Sequence, residues 1–259
     1  MDKRRLRKCL EDEGLDIFFE CYECLESTNI RARELSESAC KDALVVSEEQ
    51  TKGRGRRGRS FCSPRGCGVY FSVLLRLKLT KERFGLISLA AANAVREGIA
   101  SVTGINVEIK WINDIFFKNR KVGGIMVEAH GEISSEKEVP VVIGIGINCA
   151  ESKEVNSLGV EAGALGIATD MREALIAGIT KNIMDLKNGY NGEDVIARYK
   201  EHCMTLGSNI TVYEDAEKRI PAYNAKAIDI ADTGELVVQT EMGELKLLNS
   251  GEVSTGLSL

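Results

Sequence analysis

Lys121-Val122-Gly123-Gly124-Ile125-Met126-Val127-Glu128 and, further on, Gly144-Ile145-Gly146-Ile147-Asn148 decide how this chain is read. Both are apolar stretches interrupted by glycine. Glycine inside a strand weakens it and often marks a bulge or the close approach of a ligand. The second stretch belongs to Val139–Cys149, a continuous apolar run expected of a central strand, so its glycines fit a cavity on one face of a sheet. Close packing of a helix is the plainer alternative. The first stretch lies in Val122–His130, which pairs with Ile115–Phe117 across the polar turn Lys118-Asn119-Arg120-Lys121.

Working outward, Val107, Ile109 and Trp111 alternate with Glu108 and Lys110 as a half-buried strand. Phe84–Ala100 is apolar nearly all round, as suits a helix packed on a sheet. Gly68–Leu77, Ala43–Ser47 and Leu15–Leu25 read as strands, and Met1–Glu13 as a short helix or a loose end. The Ser27 and Thr28 hydroxyls suit the cap of a helix through Ile30–Cys40. After the central strand, Asp170 and Glu173 have capping-box spacing. Leu175, Ile179, Ile183 and Leu186 then recur at helical spacing up to a stop at Gly189. Val195, Ile196, Tyr199 and Cys203 mark a further helix ending near Gly207. Asn209–Glu214, Ala222–Ile230, Glu235–Thr240 and Glu244–Asn249 are short strands with glycine turns, the pattern of a small barrel. The expected division is residues 1–207, an α+β domain, and residues 208–259, a small β-barrel domain.

The 259 residues are 44% hydrophobic and 28% charged, ordinary for a globular chain with its own core. The net charge of −5 argues against a general nucleic-acid binder. From Asn209 onward nine acidic and four basic residues account for that −5, leaving the first 208 residues near neutral. No apolar run reaches the ~18–20 residues of a membrane span, and the charged start lacks the apolar core of a secretory signal. The eight cysteines do not form a disulfide framework pattern, and a reducing cytoplasm is their expected home. Cys21 and Cys24 make one CxxC, but no second pair follows, and in a strand positions three apart face opposite sides; a zinc site is not expected.

Lys52–Arg65 carries six basic residues and no acidic one, with Gly53, Gly55 and Gly58 between them. Glycine lets backbone approach a ligand closely, and guanidinium forks match phosphate and carboxylate oxygens. On these residues alone the loop reads equally as a solvated surface loop, an RNA-binding arginine-rich segment, or a lid over an anionic ligand. Lys110-Trp111-Ile112-Asn113-Asp114 sets a lysine, an amide and a carboxylate at a strand end, which an ordinary Asx turn also explains.

Taken in order, Ser27-Thr28-Asn29, Gly53–Phe61 (GRGRRGRSF), Lys110–Asp114 (KWIND), Lys121–Glu128 (KVGGIMVE) and Gly144–Asn148 (GIGIN) resemble the motif set of the biotin protein ligases. The likeness covers most of the chain. It implies an α+β catalytic domain with a mixed sheet and flanking helices, similar to class II aminoacyl-tRNA synthetases, and an SH3-like C-terminal barrel. It implies ATP-dependent conversion of biotin to biotinyl-AMP with release of PPi, then transfer to a lysine of a biotin carboxyl carrier protein or domain. The biotin-binding residues it implies are Ser27, Thr28, Asn29, Gln50, Gly53, Arg54, Gly55, Arg56, Lys121, Gly124 and Gly144. Those for ATP and the adenylate are Arg54, Arg56, Arg57, Phe61, Lys110, Asn113, Lys121 and Asn148. Catalysis falls to Lys121, Arg56, Asp114 and Lys110, with Asp114 facing the incoming lysine. Mg²⁺ is expected on the substrate phosphates, with no protein ligands assigned.

The chain departs from the family pattern twice: Ile112 stands where proline is usual, and Phe61 where tryptophan is common. Only 26 residues precede Ser27, too few for the winged helix of repressor relatives, so a ligase without DNA binding is expected. A homodimer through an exposed strand edge, as in some relatives, stays open, as does the task of the barrel. Lipoate ligases are the nearest rival; they pair their arginine–glycine signature with a His-Asp dipeptide that is absent here. Against an RNA-binding module stand the near-neutral first domain and the absence of an aromatic stacking platform in the loop.

Overall fold

The computed structural model describes residues 1–37, 42–159, 162–189, 191–215, 220–249 and 253–254. In chain order the elements are α1 (Lys3–Asp12), β1 (Phe18–Tyr22), α2 (Thr28–Glu37), β2 (Ala43–Ser47), β3 (Gly68–Leu77), α3 (Lys81–Thr103), β4 (Glu108–Lys110), β5 (Asp114–Phe117), β6 (Arg120–Ala129) and β7 (Val139–Asn148). There follow α4 (Lys153–Asn156), α5 (Arg172–Met184), α6 (Gly192–Glu201), β8 (Asn209–Asp215), β9 (Ile220–Ile230), β10 (Leu236–Thr240), β11 (Leu245–Leu248) and β12 (Val253–Ser254).

Seven strands form a mixed sheet in the order β1-β2-β3-β7-β6-β5-β4. The apolar β7 stands at its centre, and the β1–β2 pair is its parallel member. Alternate residues of each strand face opposite sides, and the two sides are covered unequally. Val69, Phe71, Val73 and Leu75 of β3, with Val141, Ile143, Ile145 and Ile147 of β7, are buried against the apolar faces of α1, α3, α5 and α6. On the other side α2 covers only one end, where Ala32 and Leu35 meet Val45, Leu74 and Val142. Beyond Val142 the same face of β7 continues as Gly144, Gly146 and Asn148, and helix cover gives way to a cavity.

Local chemistry accounts for the element ends. The Asp2 carboxylate accepts from the amides of Arg4 and Arg5, which starts α1, and Leu6 and Leu10 bury its inner face. Thr80 caps α3, and Gly104 closes it at φ 71°. Lys118 and Asn119, both left-handed at φ 50° and 59°, make the tight β5–β6 turn. Arg120 and Lys121, expected in that turn, are therefore the first residues of β6. Trp111, expected in a strand, lies in the turn after β4; its amide donates to Thr205 Oγ1 (2.9 Å) and its indole to the Gly234 carbonyl (3.2 Å).

Two expected caps are corrected. Glu173 forms no capping box with Asp170; its carboxylate instead accepts from the Asp2 amide at 2.8 Å, and α5 begins without a side-chain cap. The Thr28 hydroxyl does not cap α2 but bonds to Ser72 and Gln50, because those partners lie across the cavity floor. The expected C-terminal end of that helix at Cys40 lies outside the described residues.

A second, antiparallel sheet has the order β11-β10-β9-β8-β12. Ile210, Val212, Ala225, Ala227, Leu236 and Val238 join the same apolar core as the main sheet. Lys200 of α6 pairs with Asp229 of β9 at 2.6 Å across the junction. No helix among the described residues is long and apolar enough to cross a membrane.

Candidate active site

Register explains why the cavity lies on this face. Tyr70, Gly146, Gly124 and Asp114 form one row across four strands, and Ser72, Gly144 and Met126 form the next. Where glycine stands no side chain rises from the sheet, and neighbouring groups enter the space. A Cβ on Gly144 would lie 1.9 Å from Asn29 Oδ1, and one on Gly146 would lie 2.5 Å from the Phe61 ring. The resulting cavity is about 480 Å³, a size typical of sites for small molecules.

Its inner end is a buried polar floor. Ser72 Oγ lies 2.7 Å from both Thr28 Oγ1 and Asn29 Oδ1. The Gln50 carbonyl oxygen accepts from the Thr28 amide at 2.8 Å, and its amide donates to Ser63 at 2.9 Å. Ser27, Thr28 and Asn29 are nearly inaccessible, so their positions are set by packing before any ligand arrives.

The outer end is charged. Register slips between Ile115 and Phe116, leaving Val122 as an extra residue in β6. Val122 turns into the core, and Lys121 is thereby aimed into the cavity, as bulges commonly re-aim side chains. Lys121 Nζ pairs with Asp114 Oδ1 at 2.7 Å. Lys110 stacks on the Phe116 ring at 5.4 Å. Asn113 is clamped to β6: its side chain donates to the Ile125 carbonyl (2.8 Å), and its own carbonyl accepts from the Ile125 amide (2.9 Å). On the wall, the Asn148 amide donates to the Gly163 carbonyl (2.9 Å), while its Oδ1 is buried without a hydrogen-bond partner among the described residues.

The arginine–glycine loop roofs the cavity. It is closed by backbone bonds from Phe61 to the Gly53 carbonyl (2.8 Å) and from Gly55 to the Arg59 carbonyl (2.7 Å), with a single tight turn over Arg56–Gly58. Arg56 donates to Asn113 Oδ1 at 3.2 Å, and Arg54 faces Glu128 at 3.9 Å. Burial pushes the thiol of Cys62, on the cavity wall, up from its ordinary value.

Nearly every residue singled out in the sequence lines this one cavity. Gly53 does not; it is buried beneath the lid, where a Cβ would meet the Phe61 carbonyl at 2.3 Å. The Arg57 side chain lies outside the described structure. Sequence reasoning missed Ser72, Glu128 and Tyr213. Ser72 and Glu128 sit at period-two positions on the floor face and were findable that way. Tyr213 reaches the wall from β8, and no local signal announces a contact from a separate sheet. Among the described residues no three metal-ligating side chains converge.

Residues 21–148 match the biotin/lipoate A/B protein ligase family, and residues 205–256 match the biotin protein ligase C-terminal domain. The fold and the site thus define a protein of the biotin/lipoate ligase class. The chain is 29% identical over 267 residues to the bifunctional ligase/repressor BirA of Bacillus subtilis, covering 99% of this chain and 79% of that one. It is 26% identical to the biotin–[acetyl-CoA-carboxylase] ligase of Mycobacterium tuberculosis, covering 98% and 95%. The biotin protein ligase of Aquifex aeolicus, solved with biotin and ATP, superposes with a TM-score of 0.71 at 25% identity, covering 92% and 97%. Within its class the chain belongs to the biotin protein ligase family.

Proposed function

We propose that this chain activates biotin with ATP and transfers it to a lysine of a biotin carboxyl carrier domain. The observation that carries the reading is one cavity with a buried amide-and-hydroxyl floor at one end and the Lys121–Asp114 pair at the other, roofed by Arg54 and Arg56. Asn29 sits on Gly144, and Asn148 stands four residues along β7, roughly 13 Å away. That span suits a two-part ligand. Thr28, Asn29 and Gln50 supply the hydrogen bonds that a neutral ureido ring needs. The unpaired Asn148 Oδ1 suits the amino group of adenine.

In the first step a biotin carboxylate oxygen attacks the α-phosphorus of ATP, and the bond to the β-phosphate breaks with PPi leaving. Lys121 and Arg56 offset the charge of the two anions brought together. The divalent ion that ATP carries adds to that neutralisation when bound, and phosphate oxygens rather than a protein cluster would hold it. The anions compete with Asp114 for Lys121, so their binding frees the Asp114 carboxylate. In the second step the acceptor amine attacks the acyl carbon of biotinyl-AMP, AMP leaves, and Asp114 takes the amine proton. The lid excludes water, which would destroy the mixed anhydride. Phe61, packed over Gly124 and Gly146, offers a ring face to adenine. The lining positions of Arg54 and Arg56 favour the lid reading of the basic loop over a solvated one. We infer a cytoplasmic reaction, where ATP is made and free thiols such as Cys62 and Cys149 persist. We further propose an SH3-like barrel at the C-terminus, a reading that the five-stranded antiparallel sheet supports, and a synthetase-like catalytic domain, which the mixed sheet with flanking helices supports.

The test incubates protein, biotin and Mg·ATP with a biotin carboxyl carrier domain and follows the carrier's mass. One biotin should appear on one lysine. Asp114→Ala should slow this transfer by about a hundred-fold, in the range of a lost general base, while PPi release on activation changes only a few-fold. Equal loss of both steps would remove the role given to Asp114.

A further inference from the structure

Glu128 ends the KVGGIMVE stretch and has no part in the chemistry above, yet its two carboxylate oxygens divide between floor and lid. Oε2 accepts from the Asn29 side-chain amide at 2.8 Å. Oε1 faces the Arg54 guanidinium at 3.9 Å. Register places Glu128 on the floor side of β6, beside Val142 and one row from Met126 and Gly144, so it stands just behind the cavity wall. A carboxylate only accepts, so it fixes which way the Asn29 amide points. With the nitrogen turned to Glu128, Asn29 Oδ1 is left to accept from Ser72, whose hydroxyl also touches Thr28 Oγ1. Thr28 bonds Gln50, Gln50 bonds Ser63, and Ser63 bonds the Phe61 carbonyl at the foot of the lid. The chain of contacts therefore leaves the lid at Phe61, crosses the floor and returns to the lid at Arg54, and Glu128 is the link that closes it.

We propose that Glu128 is a positioning residue with two separable tasks: it orients Asn29 for the acid substrate, and it latches Arg54 so that the lid stays shut over the acyl adenylate. This rests on the function proposed above and deepens it. Substitution separates the tasks. In Glu128→Gln the amide oxygen still accepts from Asn29, but the amide nitrogen then faces Arg54, donor against donor. In Glu128→Ala both contacts go.

The experiment forms labelled biotinyl-AMP on the full chain, isolates the complex by rapid gel filtration and follows release in a chase. KM for biotin and kcat come from PPi–ATP exchange, and melting is recorded for each variant. Glu128→Gln should keep KM for biotin within about two-fold while release quickens about five-fold, the scale of one partly exposed ion pair. Glu128→Ala should add a rise in KM of about ten-fold, the scale of a lost hydrogen bond to a charged group. Arg54→Ala placed on Glu128→Gln should quicken release no further. Wild-type release from Glu128→Gln, or a KM for biotin unchanged in Glu128→Ala, would overturn the proposal. So would equal changes in KM, kcat and melting in both variants, which mark a merely structural role. If the wild-type chain forms no biotinyl-AMP, the functional reading itself fails and takes the latch with it; if the wild type forms it and Glu128→Gln holds it normally, the latch alone is wrong.

Discussion

The floor and the lid of the cavity are built on opposite terms. The floor is held mainly by strand and helix: Ser27, Thr28, Asn29 and Ser72 are buried, and Thr28, Asn29, Ser72 and Gln50 are linked by bonds of 2.7 to 3.2 Å. The lid is a loop between Gly53 and Phe61 whose side-chain ties include a 3.2 Å bond from Arg56 and a 3.9 Å ion pair from the half-exposed Arg54. Buried, satisfied polar groups hold a fixed geometry, whereas exposed ion pairs contribute little and release easily. On the proposed function, recognition of the acid falls to a surface that need not move, and retention of the reactive adenylate to one that must open for substrates and the acceptor.

The largest effect is expected at the charged end of the cavity, opposite the floor. Lys121→Ala should lower PPi exchange by about a thousand-fold, the range of a lost electrostatic donor, without loss of fold; near-normal exchange would contradict the role. Next comes the floor's shape. A Cβ on Gly144 would lie 1.9 Å from Asn29 Oδ1, so Gly144→Ala should displace Asn29 and raise KM for biotin by about thirty-fold through its lost bonds; an unchanged KM would remove Asn29 from the floor's recognition. The lid should answer in the reverse sense. Arg56→Gly should leave biotin binding within a few-fold but release biotinyl-AMP about ten-fold faster, since the tie from the lid to Asn113 is lost; unchanged retention on rapid gel filtration would count against the lid.

The smallest expected effect concerns what holds α2, and with it the floor, to the sheet. Arg31 grips Glu20 of β1 through Nε and Nη2 at 2.8 and 2.9 Å. That hydrogen bonding holds the Glu20 carboxyl below its ordinary value of 4.5. A depressed carboxyl stabilises the fold above its unfolded value and loses that contribution as pH falls through the folded one. The wild-type melting midpoint should therefore fall faster below about pH 4.5 than that of Glu20→Gln. Parallel curves for the two proteins would show that the pair does not anchor the helix.

The floor was legible in the sequence because strand periodicity exposes it. In Gly144-Ile145-Gly146-Ile147-Asn148 the two isoleucines are buried against the helices, and the two glycines leave room on the other face for Asn29 and Phe61. The strands Ala43–Ser47 and Gly68–Leu77 have the ends their composition suggested. What stayed hidden depended on events that no local pattern records. The bulge at Val122 decides which way Lys121 points, and simple alternation would have turned it into the core. The Asp170 and Glu173 spacing looked like a cap, but a tertiary partner at Asp2 took the carboxylate. Tyr213 reaches the cavity from a strand whose own sequence reads only as part of a small sheet. Ile112 and Phe61 changed residue type without changing place, since both still line the cavity.

Biotin-dependent exchange of labelled pyrophosphate into ATP, with lipoate as the control acid, tests the central claim most directly. The account predicts exchange with biotin and none with lipoate. Exchange with lipoate alone, or with neither acid from folded protein and Mg²⁺, would contradict it.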